Sequence, residues 1–155
     1  MVLPKRKQNR LTHYDYRTPG YYFITICTQN KENLFWVFSD GNAPQLNELG
    51  ITAQKCIRSI PEHYPLIRLD HYVVMPNHVH MILILDAPTQ NQSCPDISVV
   101  VGQMKRTVSK ATGRDIWQRS FHDHVIRGEQ DYQKIWMYIE DNPRKWKEDC
   151  FYIEF

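Results

Sequence analysis

The stretch that decides the fold is "YVVMPNHVHMILIL", residues 72–85. Pro76 interrupts its apolar run. Because proline fixes its own φ and restricts the residue before it, "MPN" predicts a tight turn between two strands. The second of these strands opens with His78 and His80. Since side chains alternate between the two faces of a strand, both imidazoles point to one face and Val79 points to the other.

The segments around this hairpin alternate between strand and helix patterns. β-Branched and aromatic residues in "GYYFITICTQN" predict a strand over about residues 21–28, apolar on both faces and therefore central. Apolar residues at helical spacing predict a helix over about residues 46–60, which Pro61 ends or follows closely. "LIRLDHYVV" and "HVHMILIL" are the second and third predicted strands.

The second half of the chain repeats the alternation. Asp96 or Ser98 can cap a helix whose buried stripe is Val101, Met104 and Val108. "DIWQRSFHDHVIR" predicts a fourth strand, and a last helix is expected over about residues 129–141. This order predicts an α+β fold, the ferredoxin-like (split βαβ) antiparallel sheet with two helices on one face. The first and third strands would be central, and the added C-terminal helix would lie over the other face.

Length and composition bound the function. The 155 residues suit a single domain, with residues 1–12 as a basic arm and residues 144–155 as a short C-terminal tail. The arm is either a solvated, mobile terminus or a contact for phosphates. A net charge of +2 permits an anionic partner without demanding one. The four cysteines form no C-x-x-C pair, which argues against a zinc framework and a disulfide scaffold. No apolar leader and no membrane-length apolar run are found, so we expect a reduced cytosolic protein.

The histidine pair has two interpretations. Two imidazoles on one strand face can direct ring nitrogens at one divalent cation, although two histidines alone bind weakly. They can equally be half-buried histidines satisfied by hydrogen bonds. "FHDH" holds His122 and His124 at the same spacing, so spacing alone does not identify a site. The position of His78 and His80 at the start of a buried strand, after a rigid turn, favours the first pair.

Tyr138 and Asn142 are candidates for the remainder of a site. They are four residues apart, hence on one face of the last helix, together with Ile135 and Ile139. Tyr138 could instead be a core aromatic, and Asn142, directly before Pro143, could simply end the helix. In the functional interpretation, the tyrosine hydroxyl and the amide oxygen lie over the histidine face. A mixed nitrogen and oxygen ligand set then suits Mg²⁺ or Mn²⁺.

Four blocks of the sequence resemble one known family. They are "RLTHYDYRTPGYYFITICTQN", "MPNHVH" before an apolar strand, "WQRSFHDHVIR" and "YIEDNP". In this order they are similar to the single-tyrosine HUH (His-hydrophobe-His) transposases, and more closely to the REP-associated tyrosine transposase branch. The resemblance extends from about residue 10 to residue 146.

The resemblance implies a site and a reaction. His78 and His80 would ligate a divalent metal, Mg²⁺ or Mn²⁺, with Asn142 where the family places a third ligand. Tyr138 would be the nucleophile. Members of the family cut and rejoin single-stranded DNA, often beside a hairpin, through a 5′-phosphotyrosine link and a free 3′-OH. The implied setting is the cytoplasm of a bacterial or archaeal cell, on DNA.

Contacts with DNA would come from cations and stacking. The candidates are Lys5, Arg6, Lys7, Arg10, Lys105, Arg106, Arg119 and Arg127. Each can also be a solvated surface charge, and Trp117 can be a stacking or a core residue. Arg119 and Arg127 are favoured because they flank the strand that leads into the tyrosine helix.

Alternative functions and assemblies remain open at this level. The same sheet could serve a non-catalytic, or domesticated, protein that binds single-stranded or hairpin nucleic acid. A phosphodiesterase that activates water would not need Tyr138. A second copy of the chain is a candidate partner, because relatives include dimers that share the tyrosine helix and monomers that do not.

Overall fold

The computed structural model describes residues 13–37 and 45–154. The candidate phosphate contacts Lys5, Arg6, Lys7 and Arg10 lie outside these ranges. In chain order, the elements are β1 (Gly20–Cys27), β2 (Trp36–Val37), β3 (Gln45–Leu46), α1 (Glu48–Arg58), α2 (Ile60–His63), β4 (Ile67–Val74), β5 (His78–Leu85), α3 (Ile97–Thr112), β6 (His122–Ile126) and α4 (Glu129–Asp141). Two 3-10 turns, Gln29–Lys31 and Trp146–Glu148, complete the described secondary structure.

The main sheet has the predicted topology. Its strand order is β4-β5-β1-β6, and every neighbouring pair is antiparallel. The first and third predicted strands, β1 and β5, are therefore central, as expected for the split βαβ fold. A separate two-stranded sheet, β2 with β3, precedes α1.

The two faces of β5 pack against different helices. Val79, Met81 and Leu83 belong to the large core that includes residues of α1 and α3. Ile82 and Ile84 form a smaller core with Ile139 of α4. The alternation that assigned Val79 and the histidines to opposite faces is thereby confirmed, as is the position of the last helix over the second face.

Two boundaries differ from the prediction. Helix α1 ends at Arg58, and Pro61 lies in the first turn of α2, where a missing backbone N–H removes no helical hydrogen bond. The fourth strand is split. Trp117 bridges Thr28, but the chain then bends, and regular pairing with β1 resumes only at His122. In this bend, Nζ of Lys105 on α3 donates to the carbonyls of Gln118 and Ser120 at 2.7 and 3.3 Å, so these two carbonyls have a partner outside the sheet.

Helix α4 is attached to the edge strand β4. A register shift between Leu69 and His71 leaves Asp70 as an extra residue in β4. The hydroxyl of Tyr132 donates to Oδ2 of Asp70 at 2.6 Å, and the His71 ring stacks on Trp136 with centroids 4.4 Å apart. These contacts hold the helix across the open face of the sheet. In the described part of the chain, no helix is both long enough and apolar enough to cross a bilayer.

Candidate active site

His78 and His80 lie side by side at the start of β5. Their side chains are buried, and their ring centroids are 4.5 Å apart. In each ring Nδ1 has a partner, at 2.8 Å from Oδ1 of Asn77 for His78 and at 2.8 Å from Oγ1 of Thr25 for His80. Nε2 of each ring is buried and has no hydrogen-bond partner. Both rings are thus held at one nitrogen and direct the other nitrogen at the same space.

The surroundings of Asn77 define the tautomer of His78. Nδ2 of Asn77 donates to the backbone carbonyls of Lys31 and Phe151, at 3.1 and 2.7 Å. Oδ1 of Asn77 can only accept, so Nδ1 of His78 must carry the hydrogen. Nε2 of His78 therefore presents a lone pair. A histidine that binds a metal through one ring nitrogen usually donates a hydrogen bond from the other, as Nδ1 of His78 does to Asn77.

Asn142 and Asp149 bring oxygen atoms to the same space. Nδ2 of Asn142 donates to Oδ2 of Asp149 at 2.8 Å, while Oδ1 of Asn142 is buried without a partner. Oδ2 of Asp149 is 3.7 Å from Nε2 of His78, and neither side chain is exposed to solvent. One ligand atom each from His78, His80 and Asp149 lies within 4.8 Å of the others. Sequence reasoning missed Asp149, because it follows the last helix in an irregular tail where no periodicity relates it to the histidines.

Burial keeps both imidazoles neutral. It lowers the pKa of His78 to about 4, although the carboxylate of Asp149 and the side chain of Asn142 act in the opposite direction. Burial, and then the charge of His78, lower the pKa of His80 well below its usual range. Two neutral rings, with a lone pair on Nε2 of His78, lie beside two oxygens, and this ligand set fits a cation such as Mn²⁺ or Mg²⁺.

Tyr138 stands at the edge of this cluster. Its ring centroid is 5.2 Å from that of His80 and 6.3 Å from that of Phe23. The residue is 41% exposed, and it lines a groove of about 360 Å³ that Asn142 and Asp149 also line. Burial first, and then the charges of Asp149 and Cys150, raise the pKa of Tyr138 to about 12, while the neighbouring side chain of Asn142 acts in the opposite direction. The ring is thus packed on the sheet while the residue remains accessible from the groove.

The second histidine pair has different surroundings. His122 is exposed. Nε2 of His124 lies 2.8 Å from Oδ2 of Asp131 on the surface. Within the described ranges, the cluster that could hold a metal contains neither of them. Burial, rather than the shared spacing, distinguishes the two pairs.

The predicted cations within the described ranges do not form one surface. Lys105, Arg106 and Arg119 border a groove of about 390 Å³, although Lys105 is also bound to the carbonyls before β6. Trp117 is 2% exposed and packs on Phe35, so it is a core residue. Arg119 precedes β6. The first residue of β6, His122, pairs with Thr25 of β1, and Thr25 also pairs with His80, so Arg119 lies towards the histidine end of the sheet. Arg127 follows the opposite end of β6, so the structure separates the two favoured arginines.

Comparisons with known proteins agree on one family. No model of a known protein family matches the chain. An uncharacterized protein of Haemophilus influenzae is 35% identical over 96% of this chain and 94% of its own length. A second protein of that organism, provisionally named a REP-associated tyrosine transposase, is 25% identical over 84% of this chain and 74% of its own. The REP-associated tyrosine transposase of Escherichia coli K12 is 33% identical over 50% of this chain and 44% of its own.

The solved structures extend the agreement to the fold. A REP-associated tyrosine transposase, solved bound to a REP hairpin, superposes with a TM-score of 0.65. The match covers 90% of this chain and 74% of that one at 23% identity. At this identity the likeness is one of fold. By its named relatives, the chain belongs to the single-tyrosine HUH (His-hydrophobe-His) transposase family and resembles the REP-associated tyrosine transposase branch of that family.

Proposed function

We propose that this chain nicks and rejoins single-stranded DNA through a covalent link to Tyr138. One observation carries the proposal: Nε2 of His78, Nε2 of His80 and Oδ1 of Asn142 are buried without partners in one cluster. Each buried polar atom without a partner reduces the stability of the fold by about 1–3 kcal/mol. Three such atoms in one cluster therefore point to a bound group that satisfies them. The accessible tyrosine next to them supplies a nucleophile.

The cluster would hold a divalent cation, Mg²⁺ or Mn²⁺, through His78, His80 and Asn142. A cation bound there would supply Lewis-acid chemistry, stabilising negative charge on a scissile phosphate. Asn77 and Thr25 hold the two rings from behind and leave Nε2 of each ring as the free nitrogen. The hard oxygen atoms beside the two imidazoles support the choice of Mg²⁺ or Mn²⁺.

Tyr138 would attack the phosphorus of the scissile phosphodiester. A bond forms between the tyrosine oxygen and phosphorus, and the bond from phosphorus to the 3′ oxygen of the upstream nucleotide breaks. The tyrosine loses its proton and the departing 3′ oxygen gains one. The product is a 5′-phosphotyrosine link with a free 3′-OH. Burial raises the pKa of Tyr138, so the hydroxyl would need assistance to lose its proton as it attacks.

Rejoining would be the reverse displacement. A DNA 3′-OH attacks the phosphotyrosine, a new phosphodiester forms, and Tyr138 leaves with a proton. The phosphoester is conserved in the covalent link, so no nucleotide cofactor is required. The chain has no G-x-x-x-x-G-K-[ST] loop, in agreement with this scheme.

The DNA would be a single strand beside a hairpin. The likeness to a transposase solved bound to a REP hairpin supports this substrate class. Arg119 and Lys31 border an open groove of about 520 Å³. Arg119 lies towards the histidine end of the sheet, and we propose that this groove contacts phosphates leading to the cluster. Of the other candidates, Lys105 and Arg106 share a groove with Arg119 and would contact neighbouring phosphates, while Arg127 would add a contact at the opposite end of β6. Lys5, Arg6, Lys7 and Arg10 of the basic arm remain candidate phosphate contacts.

The test is a covalent-adduct assay. Labelled hairpin DNA with a single-stranded flank is incubated with the protein and Mn²⁺, and a denaturing gel is examined for a protein–DNA adduct. We expect an adduct with the unaltered chain and none with Tyr138→Phe. Tyr132→Phe is the matched control, because Tyr132 is on the same helix but its hydroxyl is bonded to Asp70. That variant should retain the adduct.

Other outcomes would reject the proposal in defined ways. Cleavage that survives Tyr138→Phe would point to hydrolysis by water and remove the tyrosine from its role. Hairpin binding without adduct or cleavage in Mg²⁺ and Mn²⁺ would favour a non-catalytic binding protein. Loss of the adduct in both tyrosine variants would mean that adduct formation depends on the integrity of helix α4 and not on the hydroxyl of Tyr138 in particular.

A further inference from the structure

The carboxylate of Asp149 is buried in the histidine cluster, although Asp149 is not one of the motif residues His78, His80, Tyr138 and Asn142. Its side chain has no solvent exposure. Oδ1 accepts from the backbone N–H of Phe151 at 2.8 Å, and Oδ2 accepts from Nδ2 of Asn142 at 2.8 Å. Within residues 13–37 and 45–154, no lysine or arginine forms an ion pair with it. A buried carboxylate that has only neutral partners is expensive to maintain.

The geometry points to a role for this charge. We propose that Asp149 is an additional oxygen ligand of the divalent cation held by His78 and His80. Oδ2 is 3.7 Å from Nε2 of His78, and the ligand atoms of all three residues fall within 4.8 Å of one another. A divalent cation among them would compensate the negative charge and would occupy the free lone pairs of both rings. The inference rests on the metal site of the proposed function.

Asp149 also determines which end of the Asn142 amide faces the site. Because Oδ2 of Asp149 accepts a hydrogen bond, the Nδ2 end of Asn142 must turn towards it. The other end, Oδ1, is left facing the cluster without a partner. The carboxylate therefore has two effects on a cation, one through its own oxygen and one through the oxygen that it orients.

The backbone around Asp149 is fixed to the strand that carries the histidines. Nδ2 of Asn77 donates to the carbonyl of Phe151 at 2.7 Å, and the Phe151 ring lies 4.6 Å from the His78 ring, centroid to centroid. Nδ2 of Asn33 donates to the carbonyl of Ile153 at 2.7 Å. These contacts attach the tail to Asn33 and to Asn77, and they hold the carboxylate of Asp149 beside the histidines.

The experiment measures Mn²⁺ binding by calorimetry in the Tyr138→Phe protein, so that no DNA chemistry enters. Asp149→Asn should weaken Mn²⁺ binding at least about tenfold, the scale seen when a group that supports or ligates a metal is lost. Glu148→Gln is the matched control, an adjacent exposed acid, and should bind Mn²⁺ as the parent does. Thermal melting of each variant checks that the tail still folds onto the domain.

A double-mutant cycle separates the two effects of Asp149. In an Asn142→Ala protein, Asp149 has no amide to orient. If Asp149 is a ligand, Asp149→Asn still weakens Mn²⁺ binding in that background, and the visible absorption of bound Co²⁺ changes when the carboxylate is removed. If the second substitution has no effect there, Asp149 only positions Asn142 and the ligand assignment is wrong.

Two further results would overturn the inference. Unchanged Mn²⁺ affinity in Asp149→Asn would exclude the carboxylate from the site. Tighter Mn²⁺ binding in Asp149→Asn would mean that the carboxylate hinders the binding of the cation instead of ligating it. Neither result bears on Tyr138, whose role is decided by the adduct assay. Conversely, a chain that forms no adduct but depends on Asp149 for Mn²⁺ would reject the proposed reaction and keep the ligand.

Discussion

Oδ1 of Asn77 accepts a hydrogen bond from Nδ1 of His78 over 2.8 Å. The same amide donates to the carbonyls of Lys31 and Phe151, so one side chain sets the tautomer of a histidine and holds the C-terminal tail. It is fully buried at the end of the turn before β5. Asn77 therefore hydrogen-bonds both to the strand that carries the histidines and to the tail that carries Asp149.

Asn77→Ala should weaken Mn²⁺ binding by about 10- to 100-fold, the usual effect of losing a group that orients a metal-binding histidine. Asn33→Ala is the control, because Asn33 holds the tail through Ile153 but does not contact His78. Calorimetric titration of both variants measures the difference. Equal losses in the two would show that Asn77 acts only by anchoring the tail.

Thr25→Val should destabilise the protein. The hydroxyl of Thr25 is the partner of Nδ1 of His80 at 2.8 Å inside the sheet, and valine keeps the shape but not the hydrogen bond. We expect the free energy of unfolding to fall by about 1–3 kcal/mol, the cost of an unpaired buried polar group. Urea denaturation measures it. Thr25→Ser retains a hydroxyl and should recover most of the loss; if serine is as unstable as valine, packing rather than hydrogen bonding explains the effect.

The metal-free protein should lose stability as the pH falls below about 6.5. Burial lowers the pKa of His78 to about 4 in the folded state, and that of His80 is also lowered, whereas both titrate near 6.5 when unfolded. The unfolded chain then binds more protons than the folded chain between these pH values. Each histidine should contribute a slope of up to about 1.4 kcal/mol per pH unit there, with full stability above pH 6.5.

Urea titrations in EDTA at pH 7.5 to 4.5 measure this dependence. The comparison protein carries His78→Gln together with His80→Gln, which removes both rings and should give a flatter curve in the same window. Parallel curves for the two proteins would show that other groups account for the acid sensitivity.

Arg119→Gln should weaken hairpin binding more than Arg127→Gln. Arg119 lies at the sheet end near His80, while Arg127 follows the opposite end of β6. Loss of one phosphate contact should reduce the slope of log affinity against log salt by about one. Fluorescence anisotropy over a salt series measures both quantities. A larger effect at Arg127 would place the DNA path along the other end of the sheet.

A mixing experiment tests whether one chain forms a complete site. Contacts of α4 with β4, Tyr132 to Asp70 and Trp136 to His71, place Tyr138 over the histidines of its own chain. Tyr138→Phe mixed with a His78→Ala, His80→Ala protein should therefore form no adduct. Restored adduct formation would show that a second copy donates the tyrosine helix in a homodimer.

The sequence was sufficient wherever one local period carried the information. The two-residue repeat of β5 assigned Val79 to the helices and the histidines to the other face. The helical period placed Tyr138 and Asn142 on one side of α4. Both patterns are properties of a single element, so they persist whatever surrounds it. The same patterns give the element order, from which the split βαβ fold follows.

Tertiary structure alone decided which polar groups meet. His78 and His124 have the same local pattern, but one is buried in the sheet and the other pairs with Asp131 on the surface. Asp149 reaches His78 from 71 positions further along the chain, through an irregular tail that no period describes. Contacts of this kind depend on where separate segments pack. Burial removes water, so each remaining hydrogen bond is stronger and each unpaired polar group costs more free energy. The chain itself determines the faces, and the packing of the tail and the sheet determines the site.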